Sequence, residues 1–338
     1  MTPPAPARQA ARARCAAGAA FMLLGWALGG PTPAGEANAA SYPLRPIRLV
    51  VPYTPGTGID ILARVVGQRL AERMKVAVVV DNRPGASGNI GTEAVSKATP
   101  DGYVLLMTSS THVLNAALQP SVPYDPVRGF TPIGPTASAS LALVVNPALA
   151  ARSVQELVAL AKAQPGRLNY ASPGNGTPHH LAMELFKRHF AVDLTHVPYN
   201  GTAGAVTDLV GGQVQVMFLP LHVALPLVQS GRLRMLAAGG AHRSPVTPEV
   251  PSLADEGVTD IDVDIWYALL GPPGLAPEQV ALLNAEVNAI LRDGDVRESL
   301  GRQGLQPLPG TPEDLQRMIA TDLDRWTRLI RAAKITVD

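Results

Sequence analysis

A single cysteine, Cys15, lies close to the N-terminus. Arg14 precedes it, a poor context for lipid attachment, and loss of the N-terminal segment would leave neither a disulfide nor thiol chemistry. A secreted chain of that kind is held together by its apolar core. Charge is also scarce. Asp, Glu, Lys and Arg make up 16% of 338 residues, the formal net charge is +1, and no basic run follows the N-terminus. Low charge argues against disorder, and the lack of clustered Lys and Arg removes the basis for nucleic-acid binding. Past residue 40 no segment is apolar enough to span a bilayer, and no repeat of fixed period is visible. Catalytic signatures are missing too: there is no G-x-S-x-G, H-E-x-x-H or C-x-x-C. His112, His179, His180, His189, His196, His222 and His242 are scattered. Asp60, Asp81, Asp101 and Asp208 follow strands or sit in turns, where carboxylates more often cap than work as acid–base pairs. The adjacent His179 and His180 point apart on a helix, so neither a metal site nor a cofactor is expected.

What is present begins with apolar residues at 46% of the chain, enough for a sizeable core, and a length that suits two domains of ordinary size. The first forty residues read separately. Arg8, Arg12 and Arg14 form a positive region, residues 15–28 an apolar one with Phe21, Met22, Leu23, Leu24 and Trp26, and Ala37-Asn38-Ala39 a small-x-small cleavage site. That is a secretory signal peptide. The rival reading, a membrane anchor, needs roughly 20 apolar residues, and this run is shorter. Residues 1–40 hold three arginines and one glutamate, so the mature charge becomes −1.

The mature chain alternates strand and helix, which predicts an α/β fold with largely parallel sheets. Strands are expected at 47–51, 76–80, 103–107, 141–145, 168–171, 194–197, 214–218 and 233–238. Helices are expected at 61–74, 88–98, 153–163, 177–190, 203–210, 223–229, 277–292 and 312–333. Ser153 with Glu156 forms a capping box. No composition break separates the halves, which fits two lobes joined by chain crossings.

Ligands of open α/β sheets bind beyond the carboxyl ends of strands, where helix starts offer free N–H groups to anions. Three loops have that placement. Residues 54–60 hold two glycines that let backbone approach a ligand, or form a plain βα turn; without a Lys-Ser/Thr ending they are no P-loop. Residues 172–180, Ser-Pro-Gly-Asn-Gly-Thr-Pro-His-His, offer Ser172 and Thr177 hydroxyls, or form a turn capped by Thr177 with His180 in packing. Residues 108–112 line up four hydroxyls after a strand, for a ligand or for local caps.

These loops belong to a longer set of segments. They include Pro46-Ile47-Arg48-Leu49-Val50-Val51-Pro52, Asp81-Asn82-Arg83-Pro84-Gly85-Ala86-Ser87-Gly88-Asn89-Ile90-Gly91, Pro100-Asp101-Gly102-Tyr103, Tyr124-Asp125-Pro126, Tyr170 through Thr177, His196-Val197-Pro198-Tyr199-Asn200-Gly201, Gly211-Gly212-Gln213-Val214 and Val250-Pro251-Ser252. With them the whole mature chain resembles the solute receptors of tripartite tricarboxylate transporters, the Bug family. The resemblance implies a type II periplasmic-binding-protein fold, two doubly wound α/β lobes around a hinged ligand cleft. Residues 41–140 and 266–338 would form one lobe and 141–265 the other. It implies a periplasmic receptor, not an enzyme, that captures a small organic carboxylate for uptake through inner-membrane transporter subunits. Presentation of the ligand to a membrane sensor, or a periplasmic hydrolase, are the alternatives; a monomer is expected. Carried over, the ligand residues are Tyr53, Thr54, Gly56, Thr57, Gly58, Asp60, Asn89, Thr108, Ser109, Ser110, Thr111, Ser172, Gly174, Asn175, Gly176, Thr177 and His180, with Tyr199 and Gly201 at another helix start. The chain departs from the family at Thr57, where a second glycine is usual, at Ile59, where a hydroxyl residue is common, and at Leu219, where an aspartate is common. These changes predict a tighter, more apolar pocket and a ligand with an apolar portion, such as an aromatic or branched monocarboxylate.

Overall fold

A computed structural model describes residues 42–119, 121–240, 243–244, 246–258 and 264–333. The expected signal peptide and His242 lie outside the described residues.

The first sheet starts from β1 (Ile47–Val51), which is buried except for Arg48 and therefore sits inside the sheet, not at its edge. It pairs in parallel with β2 (Val78–Asn82) and β3 (Val104–Ser109), reached through α1 (Gly58–Met74) and α2 (Asn89–Ser96). After α3 (Thr111–Leu118), β4 (Thr131–Ala139) completes the first passage through this sheet. Only Ser140 separates β4 from β5 (Leu141–Val145), which opens the second sheet. There follow α4 (Val154–Ala163), β6 (Asn169–Ser172), α5 (Pro178–Phe190), β7 (Thr195–Pro198), α6 (Thr202–Val210), β8 (Val216–Pro220), α7 (Leu221–Gln229) and β9 (Arg234–Ala238). The chain then returns to the first sheet as β10 (Ile265–Gly271), α8 (Pro277–Arg292), α9 (Gly294–Arg302), β11 (Leu305–Pro307) and α10 (Pro312–Ala333). Strand order is β11-β4-β10-β3-β1-β2 in one sheet and β7-β6-β8-β5-β9 in the other.

The sheets are mixed, not largely parallel. β10 runs antiparallel between β3 and β4, and β5 runs antiparallel between β8 and β9. The returning strand β10 enters the sheet from the other lobe, so no crossover helix constrains it to run parallel. The sequence concealed β4 because Pro132, Gly134 and Pro135 read as loop. In the structure the β10–β4 register shifts between Leu269 and Leu270 and between Tyr267 and Ala268, beside the pairs that hold Pro132 and Pro135.

Local signals fix most helix ends. The Ser153 hydroxyl accepts the Glu156 N–H at 3.1 Å, while the Glu156 carboxylate accepts the Arg152 N–H at 2.7 Å, a capping box displaced by one residue. Thr311 and Asp314 cap the start of α10 reciprocally. The apolar side chains of both sheets and their helices form the core, with Tyr170, Phe186 and Phe218 its largest fully buried members.

Candidate ligand-binding site

Strands β1 and β3 of the first sheet and β6 and β8 of the second end toward a common gap. A half-open cavity lies there. The turn after β1 contributes Tyr53, Thr57, Gly58 and Ile59, the end of β3 Ser109 and Thr111, and β10 Ile265 and Tyr267. From the second sheet come Pro173, Thr177, Pro178 and His179 after β6, Thr202 at the start of α6, and Pro220 and Val223 around the start of α7. Among the described residues, no Asp, Glu, Lys or Arg lines this cavity.

Five helices thus begin at the cavity, and their caps decide what it can do. The first N–H groups of a helix have no partner inside it. At α5 the Thr177 hydroxyl accepts the His180 N–H, at 3.5 Å. At α1, α3, α6 and α7 no side chain caps the N-terminus. Thr57 is the clearest case: its hydroxyl turns away from α1 and donates to the Thr54 carbonyl at 3.1 Å. Gly201 and Pro220, at the cap positions of α6 and α7, carry no polar side chain at all. At α7 the first N–H, of Leu221, donates to the Ser140 carbonyl at 3.1 Å, but positive dipole ends from both sheets converge on a cavity without a fixed charge among its described residues, a setting that favours an anion.

An outer cavity shares Tyr53 and Pro173 with the inner one. Its walls are residues 84–88 from the first sheet and Gly174, Asn175, Pro198, Tyr199 and Asn200 from the second. Residues 85–88 all have positive φ: Gly85 (132°), Ala86 (46°), Ser87 (52°) and Gly88 (92°). Ala86 and Ser87 are uncommon there, at about 1–3 kcal/mol of strain each. The Tyr53 hydroxyl at 3.0 Å and the Asn115 amide at 2.9 Å both donate to the Ser87 carbonyl and hold it. The Ser87 hydroxyl then donates across the gap to the Asn175 carbonyl at 2.9 Å.

The expected ligand residues divide. Tyr53, Thr57, Gly58, Ser109, Thr111 and Thr177 line the inner cavity, and Gly174, Asn175 and Tyr199 the outer one. The others line neither, and each has a structural engagement or a buried place behind the wall. The Asp60 carboxylate accepts from Arg64 at 2.9 and 3.0 Å, from Asn82 at 2.9 Å and from the Gly56 N–H at 2.9 Å. Burial would raise its pKa, but these donors hold it below the ordinary value. Asn89 bonds Gln119, Asn115 and Tyr124 behind the wall. Thr108 lies inside β3 opposite Ala268, and Ser110 is buried at the α3 cap. Ser172 is fully buried; its hydroxyl meets His196 Nε2 at 2.7 Å and accepts the Gly174 N–H at 3.2 Å. The Gly176 N–H donates to Nδ1 of His180, whose ring stacks on His196 with centroids 4.2 Å apart. Thr54 and Gly201 face each other across the gap, since a Cβ at Gly201 would stand 2.6 Å from Thr54 Oγ1.

Of the three departures, Thr57 and Ile59 are in the wall, while Leu219 is buried in the core of the second sheet. Residues that sequence reasoning missed are Ser87, Pro173, His179, Thr202, Val223, Ile265 and Tyr267. Ser87 carried a local signal in its place inside Gly85-Ala86-Ser87-Gly88, and Pro173 and His179 lie in the 172–180 loop. Burial pushes the Tyr53 and Tyr267 hydroxyls up and His179 down to about 3, so all three are uncharged at neutral pH.

Residues 62–335 match the family described as tripartite tricarboxylate transporter family receptor. Protein BugT of Bordetella pertussis (strain Tohama I) is 36% identical over 300 residues, which cover 88% of this chain and 92% of BugT. Two solved structures are also similar. One is R. palustris Rpa4515 with adipate, at TM-score 0.85 and 34% identity, covering 87% of this chain and 99% of that one. The other is MatC from Rhodopseudomonas palustris with bound malate, at TM-score 0.82 and 28% identity, covering 86% of this chain and 100% of that one.

Proposed function

The chain belongs to the tripartite tricarboxylate transporter receptor family, and on that premise we propose that it captures a small organic carboxylate in the inner cavity and delivers it to a membrane transporter. Its fold is that of the periplasmic binding proteins, two α/β lobes around a ligand cleft. One lobe is assigned residues 41–140 with 266–338, the other 141–265, and the passage at Ser140 is one of the crossings about which they move. The periplasm is the proposed location, reached through the signal peptide at 1–40.

The observation that carries the proposal is the set of helix starts without a side-chain cap around a cavity whose described wall residues include no Asp, Glu, Lys or Arg. The N–H groups of Gly58 and Ile59, with the hydroxyls of Thr111 and Thr202, hold the carboxylate, while the Thr177 hydroxyl is spent on the Gly174 carbonyl at 2.8 Å. Ile59, Pro220, Val223 and Ile265 cover its carbon skeleton. Because the donors come from both lobes, the ligand binds the closed form better than the open one, and closure follows from that difference alone. That relatives are recorded with adipate and with malate supports the ligand class.

Binding without turnover is part of the proposal. The Ser172–His196 contact is fully buried on its serine side and faces neither cavity. Ser109 meets Thr111 at 3.3 Å, not a histidine. Titration calorimetry of the mature protein with short acids tests the proposal. A saturable single-site heat with at least one acid, with the acid recovered intact, is expected. No response to any acid, or conversion of an ester or amide that disappears with a Ser109→Ala change, would overturn it.

A further inference from the structure

Asn-Gly is the dipeptide most open to intramolecular attack, because glycine has no Cβ to shield its nitrogen from the neighbouring carboxamide. The chain holds it twice, at Asn175-Gly176 and Asn200-Gly201. Both asparagines line the outer cavity. At the first pair the fold demands glycine. Gly176 has φ 75°, in the left-handed region, and a Cβ there would stand 3.0 Å from Leu118 Cδ1 and 3.3 Å from Asn115 Oδ1. Asn175 is half-buried, so solvent reaches it.

The acceptor of the Gly176 N–H is what gives the first pair its chemistry. That N–H donates to Nδ1 of His180 at 3.2 Å, a ring nitrogen and not a carbonyl. Nδ1 therefore carries the lone pair, and Nε2 the proton. Stacking holds the ring in this orientation: its centroid is 4.2 Å from that of His196 with the planes 13° apart, and Tyr170 stacks against both. Burial is the largest influence on His180 and holds it at about 4, with Glu184 favouring its charge and Lys187 opposing it, so Nδ1 is a free base at neutral pH. A base fixed on the N–H that would attack is the arrangement of general-base catalysis.

We propose that Asn175 is a self-modification site, deamidated by the Gly176 nitrogen with His180 as its base, and that the carboxylate so formed ages the receptor toward weaker anion binding. The Gly176 nitrogen bonds to Cγ of Asn175 while its proton passes by way of His180 Nδ1 to the departing Nδ2, and ammonia leaves. The succinimide then takes up one water and opens to aspartate or isoaspartate; nothing is oxidised or reduced. Either product is ionised at neutral pH. In isoaspartate the main chain runs through Cγ, and the former main-chain carbonyl, the one that accepts from Ser87 across the gap, becomes the free carboxylate. Both products place a negative charge in the outer cavity, beside the inner one, and among the described residues no Lys or Arg lines either cavity to offset it. An anionic ligand is repelled by that charge. The effect on binding rests on the carboxylate-receptor proposal; the deamidation itself does not.

In the test, mature protein is held in warm, mildly alkaline buffer. Peptide mass spectrometry reads the exchange of NH2 for OH at each asparagine, and enzymatic methylation counts isoaspartate. Asn200, exposed beside Gly201, is the internal comparison. His180→Gln keeps an oxygen acceptor for the Gly176 N–H but supplies no base. Asn175 should convert at least threefold faster in wild type than in His180→Gln, with Asn200 equal in both. Should His180→Gln fail to fold, folded wild type is compared with wild type in urea, and Asn175 should convert faster in the folded chain. Equal or reversed rates in the comparison used, or an Asn175 that stays intact, would overturn the site. Binding is read by calorimetry with a panel of short acids that includes adipate and malate. Protein aged at Asn175 and separated by anion exchange, and Asn175→Asp, should each bind at least threefold more weakly than fresh wild type. Unchanged affinity would overturn the ageing role. Fresh protein that binds none of the acids would instead overturn the carboxylate-receptor proposal, while the mass measurement still decides the site.

Discussion

Gly58→Ala gives a direct test of the cavity, because two effects of opposite sign meet at one atom. Gly58 is the first residue of α1, and its φ is not in the left-handed region. Alanine is therefore permitted there and would favour the helix by up to about 1 kcal/mol. The added methyl, however, falls 2.3 Å from two atoms of the His222 ring and 2.8 Å from the Tyr267 hydroxyl. Overpacking of this kind costs about 1–3 kcal/mol, so stability should fall by about 0–3 kcal/mol, within reach of a folded protein. Binding is affected more. His222 can yield only by rotating into the inner cavity, where it takes ligand volume, or by staying and pushing the α1 N-terminus away from the ligand. Either way the carboxylate loses donors, each worth about 1.5–3 kcal/mol to a charged acceptor, which is at least tenfold in affinity. Calorimetry with the best-bound acid, paired with a thermal melt, measures both terms. A Gly58→Ala protein that melts normally and binds acids as tightly as wild type would falsify the placement of the ligand at this helix start.

Ser87→Ala removes the hydroxyl that spans the gap to the Asn175 carbonyl. It should weaken acid binding about two- to tenfold, by about 0.5–1.5 kcal/mol, with little change in the ligand-free melting temperature. Ser172→Ala should do the reverse: its hydroxyl bonds His196 and Gly174 inside the second lobe, so melting should drop by about 1–3 kcal/mol and affinity should hold. A pH series follows from the histidines. Burial holds His112, His180 and His222 near 4 and His179 near 3. Each is below the ordinary value near 6.5, so the unfolded chain binds protons first as pH falls. Above pH 6.5 they add no protonation-linked cost, and stability is lost as pH drops from there toward 4. Thermal melts from pH 7.5 to 5 should show that fall, less steeply in His222→Phe; a flat profile would contradict the buried setting.

Much of this architecture is legible in the residues, and the exceptions have identifiable physics. The βα pattern locates β1, α1 and the Thr57-Gly58 turn because strand burial, glycine and helical spacing agree there. Whether Thr57 caps α1 is a matter of one side-chain rotation, toward the Thr54 carbonyl and not toward its own helix. No sequence pattern specifies that choice, yet it leaves the helix start open to an anion. His179 and His180 show the same limit. Neighbours on a helix lie about 100° apart, so which of them meets the cavity depends on the phase set by the first residue, Pro178. Sequence likeness favoured His180, which turned out to stack on His196 and Tyr170 behind the wall. Asp60 is carried over as a ligand residue by the family resemblance; its carboxylate accepts from Gly56, Arg64 and Asn82 and so completes the loop. The strands β4 and β10 were hidden for opposite reasons, one broken by proline and glycine, the other an unbroken apolar run that periodicity cannot distinguish from a buried helix.

A cavity that grips an acid without a cation makes a distinctive forecast about salt. An arginine in the wall would be desolvated without a partner whenever ligand is absent, at a cost of several kcal/mol. Fixed peptide dipoles avoid that cost, because their N–H groups are oriented by the helices before ligand arrives. Each uncapped start is worth about 0.3–2 kcal/mol to an anion, so α1, α3, α6 and α7 together supply about 1–8 kcal/mol; the upper end matches a micromolar affinity. Such short-range, water-excluded interactions are screened weakly, whereas attraction from exposed charges decays over about 10 Å at 0.1 M salt. The mature protein carries almost no net charge to steer an anion. Affinity for the best acid should therefore change by less than about threefold between roughly 20 and 500 mM salt. A weakening of tenfold or more across that range would require a fixed cation acting on the ligand, and among the described residues none lines either cavity; the ligand would then have to bind elsewhere.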